Sequence, residues 1–166
     1  MMDRTLSPGA TLIVVTTGPD AQTTQVGWAQ LLYTGTVGAY AVFGQTIGAS
    51  KQEAVVPLDT RTGGSYVIPF DTLAGYATGV VLANISTQAA IVPVVIKDDN
   101  GNILQTSNVA LPALGHTSFE LVGRLPVVAQ RRGTLEFQTP PGGQISVLGL
   151  RFNPTGAFST IPALVK

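Results

Sequence analysis

The chain has 166 residues, 11% of them charged, with nine basic and nine acidic side chains that cancel. That balance excludes a polybasic nucleic-acid binder, and a hydrophobic content of 45% excludes a charge-rich disordered chain. The longest apolar run, Ala89 to Ile96, is eight residues, far short of the roughly 20 that a membrane helix needs, so no membrane insertion by a helix is expected.

Taken in chain order, the periodicity is that of short strands. Segments rich in Val, Ile, Leu, Thr and aromatics occupy 11–17, 26–33, 37–43, 52–57, 65–70, 78–85, 89–97, 102–110, 116–121, 133–138, 144–152 and 157–162. Gly, Pro, Asn or Asp separates them at intervals of about 8–12 residues, the spacing of an all-β sandwich. One helical stretch is expected, from Val122 to Ala129, and Pro126 limits it to about a turn. Asn100-Gly101, between two apolar runs, marks a hairpin. The acids and amides around it lack the alternating ligands and distant Glu of a calcium loop, so an ordinary turn is expected.

The sequence also repeats itself. Leu6 matches Leu111 at an offset of 105, and Gly9 and Thr11 match Gly115 and Thr117 at 106. Gly27-Trp28-Ala29-Gln30-Leu31 matches Gly133-Thr134-Leu135-Glu136-Phe137, again at 106. Val55-Val56-Pro57-Leu58 matches Thr160-Ile161-Pro162-Ala163 at 105, and strand 37–43 aligns with 145–151 at 108. A period near 105 is the size of one immunoglobulin-like sandwich. Residues 61–166 therefore read as a complete unit, and residues 1–60 as a preceding half-repeat of four strands. Four such strands have an apolar face that needs a cover and edges that need partners. Alternation places Ala29, Leu31 and Tyr33 on a core face, and Trp28, Tyr40 and Val42 on an outer one.

Several of these segments occur in a familiar order: Gly27-Trp28-Ala29, Gln52-Glu53-Ala54-Val55-Val56-Pro57, Ile68-Pro69-Phe70-Asp71 and Thr78-Gly79-Val80-Val81-Leu82-Ala83-Asn84. Leu111-Pro112-Ala113-Leu114-Gly115-His116 and Leu148-Gly149-Leu150-Arg151-Phe152 follow. Over nearly the whole chain they resemble uncharacterised β-sandwich repeats at the C-termini of large secreted proteins of soil bacteria. The resemblance implies a secreted or cell-surface parent protein and an upstream half-unit. Its motifs are structural, and it carries no catalytic signature. In this chain, Met1 to Thr11 has no apolar segment of the signal-peptide kind.

Chemistry has few residues to work with. Without cysteine, disulfides, thiolate catalysis and Cys-type zinc sites are excluded. The lone histidine, His116, rules out a multi-histidine metal site within one chain. No metal or cofactor is expected. A Ser-His-acid triad would have to use His116 as its base, and no Gly-x-Ser-x-Gly elbow accompanies it. A carboxylate pair would be drawn from Glu53, Asp59, Asp71, Asp98, Asp99, Glu120 and Glu136. Gly63-Gly64-Ser65 and Pro140-Pro141-Gly142-Gly143 lack the lysine and helix of a phosphate loop. Asn84-Ile85-Ser86 matches a glycosylation sequon.

The expected fold is thus an all-β antiparallel sandwich, immunoglobulin-like, of about 11–12 strands. The expected function is that of a non-catalytic structural or adhesive module. Its candidate binding residues are the aromatics Trp28, Tyr40, Tyr66 and Tyr76, with Tyr33 as a further one, which suit stacking on a carbohydrate or another surface. The alternative is a small hydrolase of an ester, lactone or glycoside, using His116 or a carboxylate pair. The expected partner is a second copy, paired through the half-repeat or through exposed strands.

Overall fold

From Ser65 onward apolar side chains fall on alternate residues, and in the computed structural model that alternation builds two facing antiparallel sheets. Residues 2–16, 27–47 and 50–166 are described. Strands β1 (Tyr40–Ile47) and β2 (Ser50–Pro57) form a separate hairpin. They are followed by β3 (Ser65–Asp71), β4 (Ala77–Asn84), β5 (Ala90–Asp98), β6 (Ile103–Leu111) and β7 (His116–Glu120). A helical turn α1 (Leu121–Arg124) and a 3-10 turn (Pro126–Val128) lead to β8 (Arg132–Gln138), β9 (Ile145–Phe152), β10 (Phe158–Pro162) and β11 (Leu164–Val165). One sheet has the order β10-β9-β4-β7, the other β11-β3-β8-β5-β6.

The topology is a sandwich of the expected class. Strands β4 and β5 lie in opposite sheets, as do β7 and β8, while β4 pairs with β7 and β5 with β8. This interlocked quartet matches the central B, E, C and F strands of an immunoglobulin domain. The flanks are exchanged: β3 lies against β8, and β9 against β4.

Burial follows the period-two pattern. Ile68, Leu82, Val92, Ile96, Leu135 and Phe137 are completely buried and fill the space between the sheets. Thr134, Glu136 and Gln138 point the other way, and none of them is buried. Strand β4 is buried on both faces over much of its length. Its last residue, Asn84, has no exposed surface. The Asn84 amide donates to the carbonyls of Gln88 (2.8 Å) and Pro112 (2.9 Å) and accepts from the Ser86 N–H. Both amide hydrogens are used internally, so the sequon asparagine serves as a loop tie.

Local chemistry explains the connections. Glu120 caps α1 by accepting from the N–H groups of Val122 and Gly123. Pro126 then stops the α-helix, and a 3-10 turn follows it. In the β5–β6 hairpin Gly101 takes φ +85°, a conformation that favours glycine. Asp98 accepts from the N–H groups of Asn100 and Asn102 and from the Asn102 amide. Its oxygens therefore serve the turn. Gly133 faces the Lys97 carbonyl, beside an irregularity in the register of β5, and leaves no space for a Cβ atom.

The N-terminal third departs from expectation. Residues 11–16 and 27–33 form no strand; residues 17 and 26, the ends of those expected strands, lie outside the described residues. Ala29, Leu31 and Tyr33, expected on a core face, are all exposed. The alternation is present in the sequence, but among the described residues no opposing sheet covers it, and a strand without a partner gains neither ladder nor burial. The strand expected over 37–43 begins instead at Tyr40. Two-residue β11 is too short to show a period; it forms because the Lys166 main chain pairs with that of Ser65.

Leu135→Ala is therefore expected to lower unfolding free energy by about 2–5 kcal/mol. Leu32→Ala, on the exposed arm, should change it by no more than about 0.5 kcal/mol. Urea denaturation of the two variants checks the contrast.

Candidate interaction surface

Hairpin β1–β2 is built by alternation against one supporting surface. On β2, Ala54 is buried and Gln52 and Val56 are half-buried, whereas Glu53, Val55 and Pro57 are exposed. Even-numbered residues thus face the sandwich. Strand β2 lies beside β10, and the Thr160 hydroxyl donates to the Val55 carbonyl at 2.6 Å. The Gln52 Oε1 is buried there without a hydrogen-bond partner. Between the end of the hairpin and β9–β10 runs a groove of about 230 Å³, lined by Val56, Pro57, Leu58, Leu148 and Pro162. That is below the size of an ordinary ligand pocket.

Strand β1 has no such support. Tyr40 pairs with Pro57 and Val42 with Val55. Tyr40 is 73% exposed, and Val42 and Val55 are each 51% exposed. Phe43, on the other face, is also exposed. The arm before it continues the pattern: Leu12, Ile13, Val14, Val15, Leu31, Leu32 and Tyr33 are all exposed. Large apolar side chains are thus exposed in both described segments of the arm, 12–15 and 31–33.

The expected aromatic residues do not gather into one platform. Tyr40 stands exposed on β1. Trp28 is half-buried, and its indole N–H donates to the Leu114 carbonyl at 3.1 Å, which holds the arm against the β6–β7 turn. Tyr66 is a correction: it is only 2% exposed, because its position on β3 points into the sandwich. Its hydroxyl donates to the Arg61 carbonyl, and burial pushes its pKa up. Tyr76 is half-buried under the Arg151 guanidinium, 3.9 Å from its ring centre, a cation–π contact.

Arg151 belongs to a charged cluster that sequence reasoning did not find. Asp71, at the end of β3, meets Arg132 of β8 and Arg151 of β9, each at 3.3 Å. Burial pushes the Asp71 carboxyl up, but hydrogen bonds from the Leu73 N–H, Arg132 and Arg151 outweigh it and hold its pKa low. Glu136 is held low mainly by the Ser65 hydroxyl, with Lys166 and Lys97 adding to this against burial. In sequence, Asp71 reads only as one candidate acid among seven, and Arg132 beside Arg131 reads equally well as part of a solvated loop.

Other candidate acids have structural partners too. Asp59 pairs with Arg61 at 2.8 Å, Asp98 closes its turn and Glu120 caps α1. His116 opens β7, half-buried, opposite Ala83. Among the described residues, no group of three His, Cys, Asp or Glu side chains has the arrangement to hold a metal ion. No helix among them is long and apolar enough to cross a membrane.

No protein-family model and no curated protein sequence matches this chain. Among solved structures, the chain is similar to the cryo-EM structure of Broad bean stain virus, at 14% identity with a TM-score of 0.31. The likeness covers 83% of this chain and 96% of that one.

Because folding lowers the pKa of Asp71 and Glu136, the folded chain binds protons less readily than the unfolded one. Their contribution is complete above the unfolded carboxyl values of about 4 and is lost as pH falls through the lower folded values. Asp71→Asn should therefore give a shallower loss of Tm between neutral pH and the acid range than the parent chain. An equally steep loss in the variant would remove Asp71 from the account.

Proposed function

We propose that this chain is a non-catalytic structural or adhesive module of an exported bacterial protein. In this reading it acts by packing its arm and hairpin against a like module, including a second copy of itself. The observation that carries the proposal is a contrast in burial. The sandwich from Ser65 onward has a filled core, whereas the preceding 60 or so residues expose Ile13 at 80%, Leu32 at 79% and Tyr40 at 73%. An apolar surface of that kind marks an interaction site.

Support for a catalytic role is thinner. A carboxylate pair needs two acids in contrasting environments, and Asp59, Asp71, Asp98, Glu120 and Glu136 are all engaged in ion pairs, caps or turns. Carbohydrate stacking is weakened as a reading because Tyr66 is buried and Trp28 and Tyr76 are tied to protein groups.

Light scattering on the intact chain at micromolar concentration tests the proposal. Self-association is expected, and it should weaken when Tyr40, Val42 and Val55 are all replaced by Ser. A strictly monomeric chain that does not bind an apolar dye argues against it. A polysaccharide array that captures the parent chain but not Trp28→Ala would transfer the role to carbohydrate recognition.

A further inference from the structure

Hairpin β1–β2 has a counterpart inside the sandwich. Tyr40 pairs with Pro57 as Leu148 pairs with Pro162, and Val42 pairs with Val55 as Leu150 pairs with Thr160. These correspondences are the ones the sequence offsets give independently, 108 for β1 with β9 and 105 for β2 with β10. The two hairpins therefore share a register. They differ in what lies on the far side. Strand β9 has β4 along its other edge from Ile145 to Phe152. Among the described residues, β1 has no second neighbour.

That difference accounts for the shortened strand. Strand β10 pairs with β9 only from Leu148 onward. Ile145, Ser146 and Val147 are paired by β4 alone, to Asn84, Ala83 and Leu82. Their equivalents, just ahead of β1, are Val37, Gly38 and Ala39, strand-like in sequence but not strand in the structure. The residues that lose strand structure are those whose counterparts depend on β4.

Backbone direction agrees. The Ile85 N–H donates to the Gln144 carbonyl at 3.0 Å, so even-numbered residues of β9 present their N–H and C=O groups to β4. The Leu58 N–H donates to the Ala39 carbonyl at 2.9 Å, so odd-numbered residues of β1 face β2. Gly38, Tyr40, Val42 and Gly44 are left with their backbone groups toward the open edge. From Val37 to Ile47 this edge carries no charge and no proline, the two usual safeguards of an exposed strand.

We propose that the open edge of β1, from Val37 to Gly44, accepts a strand of the β4 kind donated by a neighbouring module of the same architecture. The donor is an uncharged strand with the pattern of Ala77–Asn84. It comes from another module, because β4 of this chain is held on both edges by β7 and β9. The proposal rests on the reading of the chain as a packing module and names the partner of that surface. The recognition is strand addition: main-chain hydrogen bonds supply affinity, and alternate side chains supply register.

The test uses the intact chain and a fluorescent synthetic peptide with the sequence of residues 76–86, extended by two lysines for solubility. Fluorescence anisotropy should give saturable, one-to-one binding. Odd-numbered residues of β4 present their backbone to β9 and even-numbered ones to β7, as the Ile85 and Asn84 N–H bonds show. N-methylation of the peptide at the residue equivalent to Val81 should therefore weaken binding about tenfold or more, whereas N-methylation at the Leu82 equivalent should leave it unchanged. On the protein side, Val42→Pro should abolish binding and Val42→Thr should retain it. Absence of binding overturns the proposal. So does equal binding of a scrambled peptide, or equal loss from the two N-methylated peptides. Self-association of the intact chain without peptide binding would leave the packing-module reading standing and remove this edge from it.

Discussion

Unpaired backbone at the edges of an open sheet is the constraint on which the rest of this structure depends. An edge strand presents N–H and C=O groups that pair with whatever strand arrives. In the five-stranded sheet, β11 leaves a two-residue edge, and β6 carries the polar run Gln105 to Asn108 across its middle. In the four-stranded sheet, β7 is five residues long and runs straight into α1, and β10 has β2 beside it. The hairpin thus shields β10, but it does so by moving the edge outward. Strand β1 inherits the exposed position, with apolar side chains and no charge between Val37 and Ile47.

Charge placement reinforces that imbalance. Only 11% of residues are charged, and many of them tie strands together. Asp71 joins β3 to β8 within one sheet and to β9 in the other. Glu136 gathers Ser65 of β3, Lys97 of β5 and the C-terminal Lys166 on the outer face of its sheet. Such partly exposed pairs contribute little each, about 0–1 kcal/mol. Their effect here is on arrangement: Asp71–Arg151 links the two sheets at one end, and the Glu136 cluster links strands within one sheet. They leave few charges to solvate the hairpin and the arm.

What was legible in the sequence follows from which periods had a structural partner. From Ser65 to Pro162 every expected strand forms within a residue or so of its expected ends, because each alternation meets an opposing sheet. Pro126 and Asn100-Gly101 were legible for the same reason, since a missing N–H and a positive φ act locally. Residues 11–16 and 27–33 carry the same kind of pattern and form no strand, because pairing is not a local property. Tyr66 could not be told from a surface tyrosine without knowing which row of β3 faced inward. The Asp71 cluster joins residues 61 and 80 positions apart, so no local motif announces it.

Magnitudes set what the exposed segment requires of a partner. A two-stranded ribbon is marginal by itself, and among the described side chains of this hairpin only Ala54 is buried. Covering the exposed parts of Tyr40, Val42, Phe43 and Val55 completely returns on the order of 10 kcal/mol at about 25 cal/mol per Å². Bringing two molecules together costs about 4–15 kcal/mol in lost freedom. Hydrophobic cover of the hairpin is therefore of the same size as that cost and leaves little surplus. A stable complex has to engage a second source, either the apolar arm from Leu12 to Val15 or the backbone groups along the β1 edge. An additional strand supplies both terms at once. It pairs the N–H and C=O groups of Gly38, Tyr40, Val42 and Gly44, and its side chains lie against the same row. A flat partner surface without a strand would satisfy only the apolar term and leave those backbone groups to be desolvated unpaired, each at about 1–3 kcal/mol. The proposed strand addition thus satisfies both the apolar and the backbone requirements of this surface, and simple apolar contact satisfies only one.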